Sequence, residues 1–106
     1  MPTFPKTVRL KNAEDFERVW KSSVQKANRY LVLRWSPSNN QKLGLIVSKS
    51  VGNAVVRNRL KRVFRDYFRL HREDFPQAEI IIIARPPVHA LDNASVRKEL
   101  CNLLKK

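Results

Sequence analysis

The chain has 106 residues, with 22 lysines and arginines against 9 aspartates and glutamates, a formal net charge of +13. That length makes one domain, and an apolar fraction of 42% supplies it with a core. So large a positive excess repels itself in a compact state and is costly unless a polyanion takes it up; nucleic acid is the leading partner and a membrane surface the second.

The chain opens on MPTFPKTVRLKNAEDF, which lacks an apolar signal core and carries acids, so neither export nor a transit peptide is supported and the cytoplasm is expected. No stretch approaches the ~18 apolar residues that span a bilayer. The segment NAEDFERVWKS reads as a short helix, with Asn12 as N-cap and Glu14 and Asp15 in the first turn. Phe16, Val19 and Trp20 share one of its faces.

NRYLVLRWS reads as a strand, with Tyr30, Val32 and Arg34 on one side and Leu31, Leu33 and Trp35 on the other. VQKAN before it adds a short strand, PSNNQK is a turn, and LGLIVSK is a further long strand. A long helix follows from the Asn53 N-cap to about Leu70. EIIIIAR, stopped by Pro86 and Pro87, is apolar enough for a strand buried on both faces. The last helix runs from about Ala94 to Leu104 with Val96, Leu100, Leu103 and Leu104 inward, and with Asp92, Asn93 or Ser95 as its cap. Cys101, the one cysteine, has no disulfide partner in the chain and reads as a small core residue. The whole is a single α+β domain, residues 1–106.

The long helix carries the unusual charge. At about 100° per residue, Val56, Leu60, Val63, Phe64, Tyr67 and Leu70 gather on one flank. Asn58, Lys61, Arg62, Arg65, Arg69 and Arg72 gather opposite, and Arg57 and Arg59 stand at the two borders. A solvated helix face mixes signs into i,i+4 pairs; this one has Asp66 alone to interrupt it. Five of the six cations between 57 and 69 are arginines, whose planar fork matches phosphate oxygens and the guanine edge. Asn58 adds an amide that donates and accepts. The face suits a folded nucleic acid.

A catalytic centre is not evident. His71 and His89 are the only histidines, and nothing in the sequence brings them to one phosphate, as a protein nuclease would need. Glu14–Asp15 and Glu73–Asp74 fit helix-end capping better than metal ligation. Gly52 lacks the Walker spacing, and neither the RRM aromatic motif nor the KH glycine loop is present. A helix-turn-helix protein would need two short helices about a tight turn. A ribosomal protein or RNA chaperone shares this composition and is separated only by motif.

That motif is KSVGNAVVRNRLKRVFRDYFR, which resembles the signature helix of the bacterial ribonuclease P protein subunit family, an Arg-Asn-Arg core followed by Lys-Arg and a further Arg. RLKNAEDFERVW, LGLIVSKSVGNA and IIIARP are similar to the family's neighbouring elements, so the likeness spans about Val8 to Leu104. It implies an α-β-β-β-α-β-α sandwich with a left-handed βαβ crossover, where general chirality favours the right-handed one. It also implies an accessory role: the catalytic RNA cuts the 5′ leader from precursor tRNA with magnesium ions, held mainly by RNA, and the protein has no catalytic residue, metal or cofactor of its own. The RNA subunit would be held by Asn53, Arg57, Asn58, Arg59, Lys61, Arg62, Arg65 and Arg69. The leader would lie in a cleft formed by Phe16, Trp20, Tyr30, Val32, Arg34, Ser48 and Lys49, bases stacking on rings while cations hold phosphates. Periodicity alone would make Phe16 and Trp20 core residues; the resemblance puts them in the cleft. Two positions depart from the family pattern: Arg34 stands where an aromatic is frequent, and Ser22–Ser23 where glycine is.

Overall fold

The computed structural model describes residues 13–22 and 24–105. In chain order they form α1 (Ala13–Ser22), β1 (Val24–Ala27), β2 (Leu31–Pro37), β3 (Lys42–Ile46), α2 (Ala54–Leu70), a 3-10 turn (Arg72–Asp74), β4 (Ala78–Ala84), a second 3-10 turn (Pro86–Ala90) and α3 (Asn93–Leu104). This is the α-β-β-β-α-β-α succession expected. The expected Asn12 cap lies outside the described residues. No helix among them is long and apolar enough to cross a membrane.

The strands make one sheet in the order β1-β2-β4-β3. β3 and β4 are parallel and joined through α2; the other pairs are antiparallel. The unbroken apolar run of β4 suits its position between two neighbours and two covered faces: Ile80, Ile81 and Ile82 are fully buried. β1, with no such run, is an edge strand exposed along its length.

Register divides the sheet into two faces. Leu31, Leu33 and Trp35 stand opposite Ala84, Ile82 and Ile80. On this face Leu60, Val63, Phe64, Tyr67 and Phe68 of α2 and Val96, Leu100 and Leu103 of α3 close the main core. Val32 and Arg34 stand opposite Ile83 and Ile81 on the other face, where α1 lays down Val19 with Phe16 against Ile81, Ile83 and Ile46.

α1 is also held by charge. Arg18 donates through Nε and Nη2 to both carboxylate oxygens of Glu79, at 3.1 and 2.5 Å, and pairs with Asp15 at 3.3 Å. Glu79 is only 8% exposed, whereas the Arg18 side chain is half in solvent. The two ends of the pair are therefore unequal. Arg18→Ala strands a buried carboxylate, while Glu79→Gln releases Arg18 to water. Urea unfolding should find Arg18→Ala the more damaging of the two; equal losses would mean that Glu79 gains its partner from elsewhere.

α2 begins as its sequence dictates. Asn53 Oδ1 accepts from the Val56 amide at 3.0 Å, satisfying one orphan donor of the first turn. Gly52 allows the preceding turn to approach closely, since a Cβ there would lie 3.0 Å from Val56 Cβ and Cγ1. The C-terminal end departs from expectation. Leu70, expected on the seam, is 66% exposed, and Phe68 is fully buried in its place. The helix stops at His71, whose amide donates to Tyr67 O at 2.9 Å. The 3-10 turn then returns Phe75 beneath the last helical turn, edge-on to Phe68 at 4.9 Å. Gln41 Nε2 holds that return by donating to Arg72 O and Pro76 O. Arg72 leaves the helix with it, and its Nε donates to Gln41 Oε1 at 3.0 Å.

Of the three caps open for α3, Asp92 is the one used, accepting from the Ser95 amide at 2.8 Å. Those bonds to Ser95 hold its carboxyl below the usual aspartate range. Cys101 is half-buried beside Tyr67. Burial first, then the neighbouring Cys101 and Asp74, pushes the Tyr67 phenol up to about 12. The folded chain keeps Tyr67 neutral where the unfolded chain ionises it. Its contribution is thus complete below about pH 10 and is lost between there and pH 12. Urea midpoints measured across that window should fall, and Tyr67→Phe should flatten the fall; an identical decline would exclude this phenol as a cause.

Candidate nucleic-acid interface

The buried seam fixes the rotation of α2. With Leu60, Val63, Phe64 and Tyr67 turned into the core, the 3.6-residue period turns Asn58, Arg62, Arg65 and Arg69 outward. Asn58 and Arg62 are exposed, and Lys61, Arg65 and Arg69 half-exposed. Asp66, the one acid of the helix, stands 3.9 Å from Arg69. At that range, in water, the pair leaves the field of the ridge positive. Asn53 sits at its N-terminal end, its side-chain oxygen used on the cap.

The two border arginines have different surroundings. Arg57 Nε donates to Gly52 O at 3.2 Å, which holds its guanidinium beside the turn before α2. That turn is closed by the amides of Val51 and Gly52 on Ser48 O and Lys49 O. Its Ser48 hydroxyl lies 2.7 Å from that of Ser50, and Ser48 and Lys49 are exposed. Arg59 goes the other way. Its Nη1 donates to Asn93 Oδ1 at 2.7 Å and to Leu91 O at 3.3 Å, at the start of α3.

The α1 face of the sheet brings most of the second residue set together. Val32, Ile83 and Ile46 form one row across β2, β4 and β3, and the chain leaves β3 for Ser48 and Lys49 at the end of that row. Phe16 and Trp20 prove to have different roles. Phe16 is half-buried and packs with Val19 and Ile81. Trp20 is 46% exposed, and the Arg34 guanidinium lies 3.8 Å from its ring centroid, with Nη2 3.5 Å from Trp20 O. The Arg34 guanidinium thus lies over the indole ring, a stabilising cation–π contact.

Tyr30 does not join this set. Alternation through NRYLVLRWS had it beside Val32 and Arg34, but Asn28 Oδ1 accepts from both the Tyr30 and Leu31 amides at 2.8 Å. Residue 30 therefore belongs to a turn, before the strand's alternation begins, and its ring packs on the opposite, α2–α3 core.

The two histidines are engaged locally and separately. His71 stacks on Tyr67 at 4.2 Å and faces Asp74 at 3.5 Å; His89 Nδ1 lies 2.8 Å from Pro86 O. Among the described residues no three potential ligands from His, Cys, Asp and Glu converge on one point. Among the contacts that sequence reasoning missed are Arg18–Glu79 and Arg59–Asn93. The only hint of the first was a carboxylate opening an otherwise apolar strand.

Known proteins with this fold and sequence agree with one another. A family model described as Ribonuclease P matches residues 4–106. The ribonuclease P protein component of Desulforapulum autotrophicum is 46% identical over 107 residues, covering 98% of this chain and 92% of that one. The structure of the Staphylococcus aureus RNase P protein superimposes with a TM-score of 0.87 at 34% identity, over 93% of this chain and 94% of that one. The RNase P protein from Thermotoga maritima gives 0.81 at 32% identity, over 92% and 94%. With the sequence match running nearly end to end and the same fold beneath it, the chain belongs to the ribonuclease P protein component family.

Proposed function

We propose that this chain is the accessory protein of a ribonuclease P, binding its catalytic RNA through α2 and the 5′ leader of precursor tRNA across the α1 face of the sheet. The observation that carries the reading is the α2 surface itself. A seam of buried apolar residues commits the helix to one rotation, and that rotation presents Arg57, Asn58, Lys61, Arg62, Arg65 and Arg69 with one acid among them. Phosphate oxygens are the ligands that such a forked, predominantly positive surface suits. The second surface suits an extended strand: Trp20 supplies a ring, Arg34 a cation against it, Val32 an apolar floor and Lys49 a charge at its end.

In this reading the bond is broken by the RNA, and magnesium enters with it. The carboxylates of Asp15 and Glu79 are committed to Arg18, and that of Asp92 to the α3 cap. They do not fit a magnesium site belonging to the protein, and no step is assigned to a protein-held ion. The chain's contribution is to bring phosphate-rich partners together and lower their mutual repulsion, which is what a high magnesium concentration does for RNA alone.

Reconstitution tests it. Added to a bacterial ribonuclease P RNA at low magnesium, the purified chain should restore cleavage of precursor tRNA at the mature 5′ end. No stimulation at any protein concentration would refute the reading.

A further inference from the structure

The Arg-Asn-Arg triplet at 57–59 reads as one RNA-binding unit, yet its two arginines are held on opposite sides of α2. Side chains advance about 100° per residue, which puts Arg59 about 100° round the helix from the line through Asn58, Arg65 and Arg69. It leaves on the side of α3. There a single nitrogen, Nη1, donates to both Asn93 Oδ1 at 2.7 Å and Leu91 O at 3.3 Å. Both acceptors stand at the entrance of α3, where the chain arrives from the second 3-10 turn and Asp92 caps the helix. The contact joins residues 34 apart in sequence and is the polar counterpart of the apolar packing between Leu60, Phe64, Val96 and Leu100 in the same core. Apolar contacts allow one helix to slide or roll on another; a charge-assisted bond to a fixed amide oxygen does not.

We infer that Arg59 is a positioning residue, bolting α2 to the entrance of α3 so that the ridge from Arg57 to Arg69 is presented at a fixed angle, and that it makes no phosphate contact itself. Asn93, which carries no charge and lies outside the ridge, is its partner in that role. This rests on α2 being the RNA-binding surface.

The test compares Arg59→Ala, Asn93→Ala and their double variant with Arg57→Ala, in binding to ribonuclease P RNA across a salt series, at a temperature where circular dichroism shows every variant folded. A lost phosphate contact lowers the slope of log K against log salt by about one. Arg57→Ala should do this. Arg59→Ala and Asn93→Ala should each weaken binding by a similar factor of about three to ten, keep the wild-type slope, and together lose no more than the worse single variant. A slope reduced in Arg59→Ala, or wild-type affinity in a folded Asn93→Ala, would overturn the assignment. Should Arg59→Ala fail to fold, Asn93→Ala alone decides by the same two readouts. An unchanged slope in Arg57→Ala would instead count against α2 as the RNA-binding surface.

Discussion

Replacing Arg57, Arg62 and Arg65 together with alanine is expected to weaken binding to ribonuclease P RNA by at least about a thousandfold at physiological salt. Each charge-assisted bond to phosphate contributes about 1.5–3 kcal/mol, and about 1.4 kcal/mol is a factor of ten. The salt slope should fall by about two to three units, since three fewer counterions are displaced. Stability should fall far less than affinity, because α2 keeps its buried seam while Arg57 gives up its bond to Gly52 O, worth about 0.5–1.5 kcal/mol. That combination, a large loss of affinity with only a small fall in the urea midpoint, separates a binding ridge from a solvated helix face. A loss below about threefold with the slope intact would return α2 to the latter.

Trp20→Ala is expected to weaken precursor tRNA binding by roughly fivefold to a hundredfold, the effect of one lost base–ring stack of about 1–3 kcal/mol, and to leave mature tRNA binding unchanged. The prediction attaches to Trp20 because it is 46% exposed and braced by Arg34 at 3.8 Å. Phe16 is a poorer probe, as its ring also packs with Val19 and Ile81 and its removal would disturb how α1 sits on the sheet. Arg34→Ala should show part of the same loss, by freeing the indole to move. Binding assays with precursor and mature tRNA on the same holoenzyme check both; equal losses on the two substrates would place Trp20 outside the leader path.

What could be read from the sequence was whatever depends on near neighbours. The Asn53 cap, the rotation of α2 and the double-sided burial of β4 follow from spacing within one segment, and the structure repeats them. Periodicity failed where a segment met the end of an element. Leu70 satisfied the helical period as well as Phe68 did, and only the returning Phe75 selected between them. Tyr30 satisfied the strand period, yet the Asn28 side chain holds it in a turn. Contacts between distant segments left the least trace. Arg18 and Glu79 are 61 residues apart, and no pattern in either segment names the other. The same holds for Arg59: its type and place in the motif were legible, but the direction of its side chain is set by where α3 begins.

The claim on which the rest depends is that two surfaces of this chain meet two different RNAs. It is tested most directly by placing a photocrosslinker on a single cysteine, Asn58→Cys on α2 or Trp20→Cys on α1, with Cys101→Ser removing the native thiol, in a holoenzyme loaded with leader-bearing precursor tRNA. The predicted result is that residue 58 crosslinks to the ribonuclease P RNA and residue 20 to the 5′ leader. Crosslinks from residue 58 to the leader, or to no RNA at all, would contradict it.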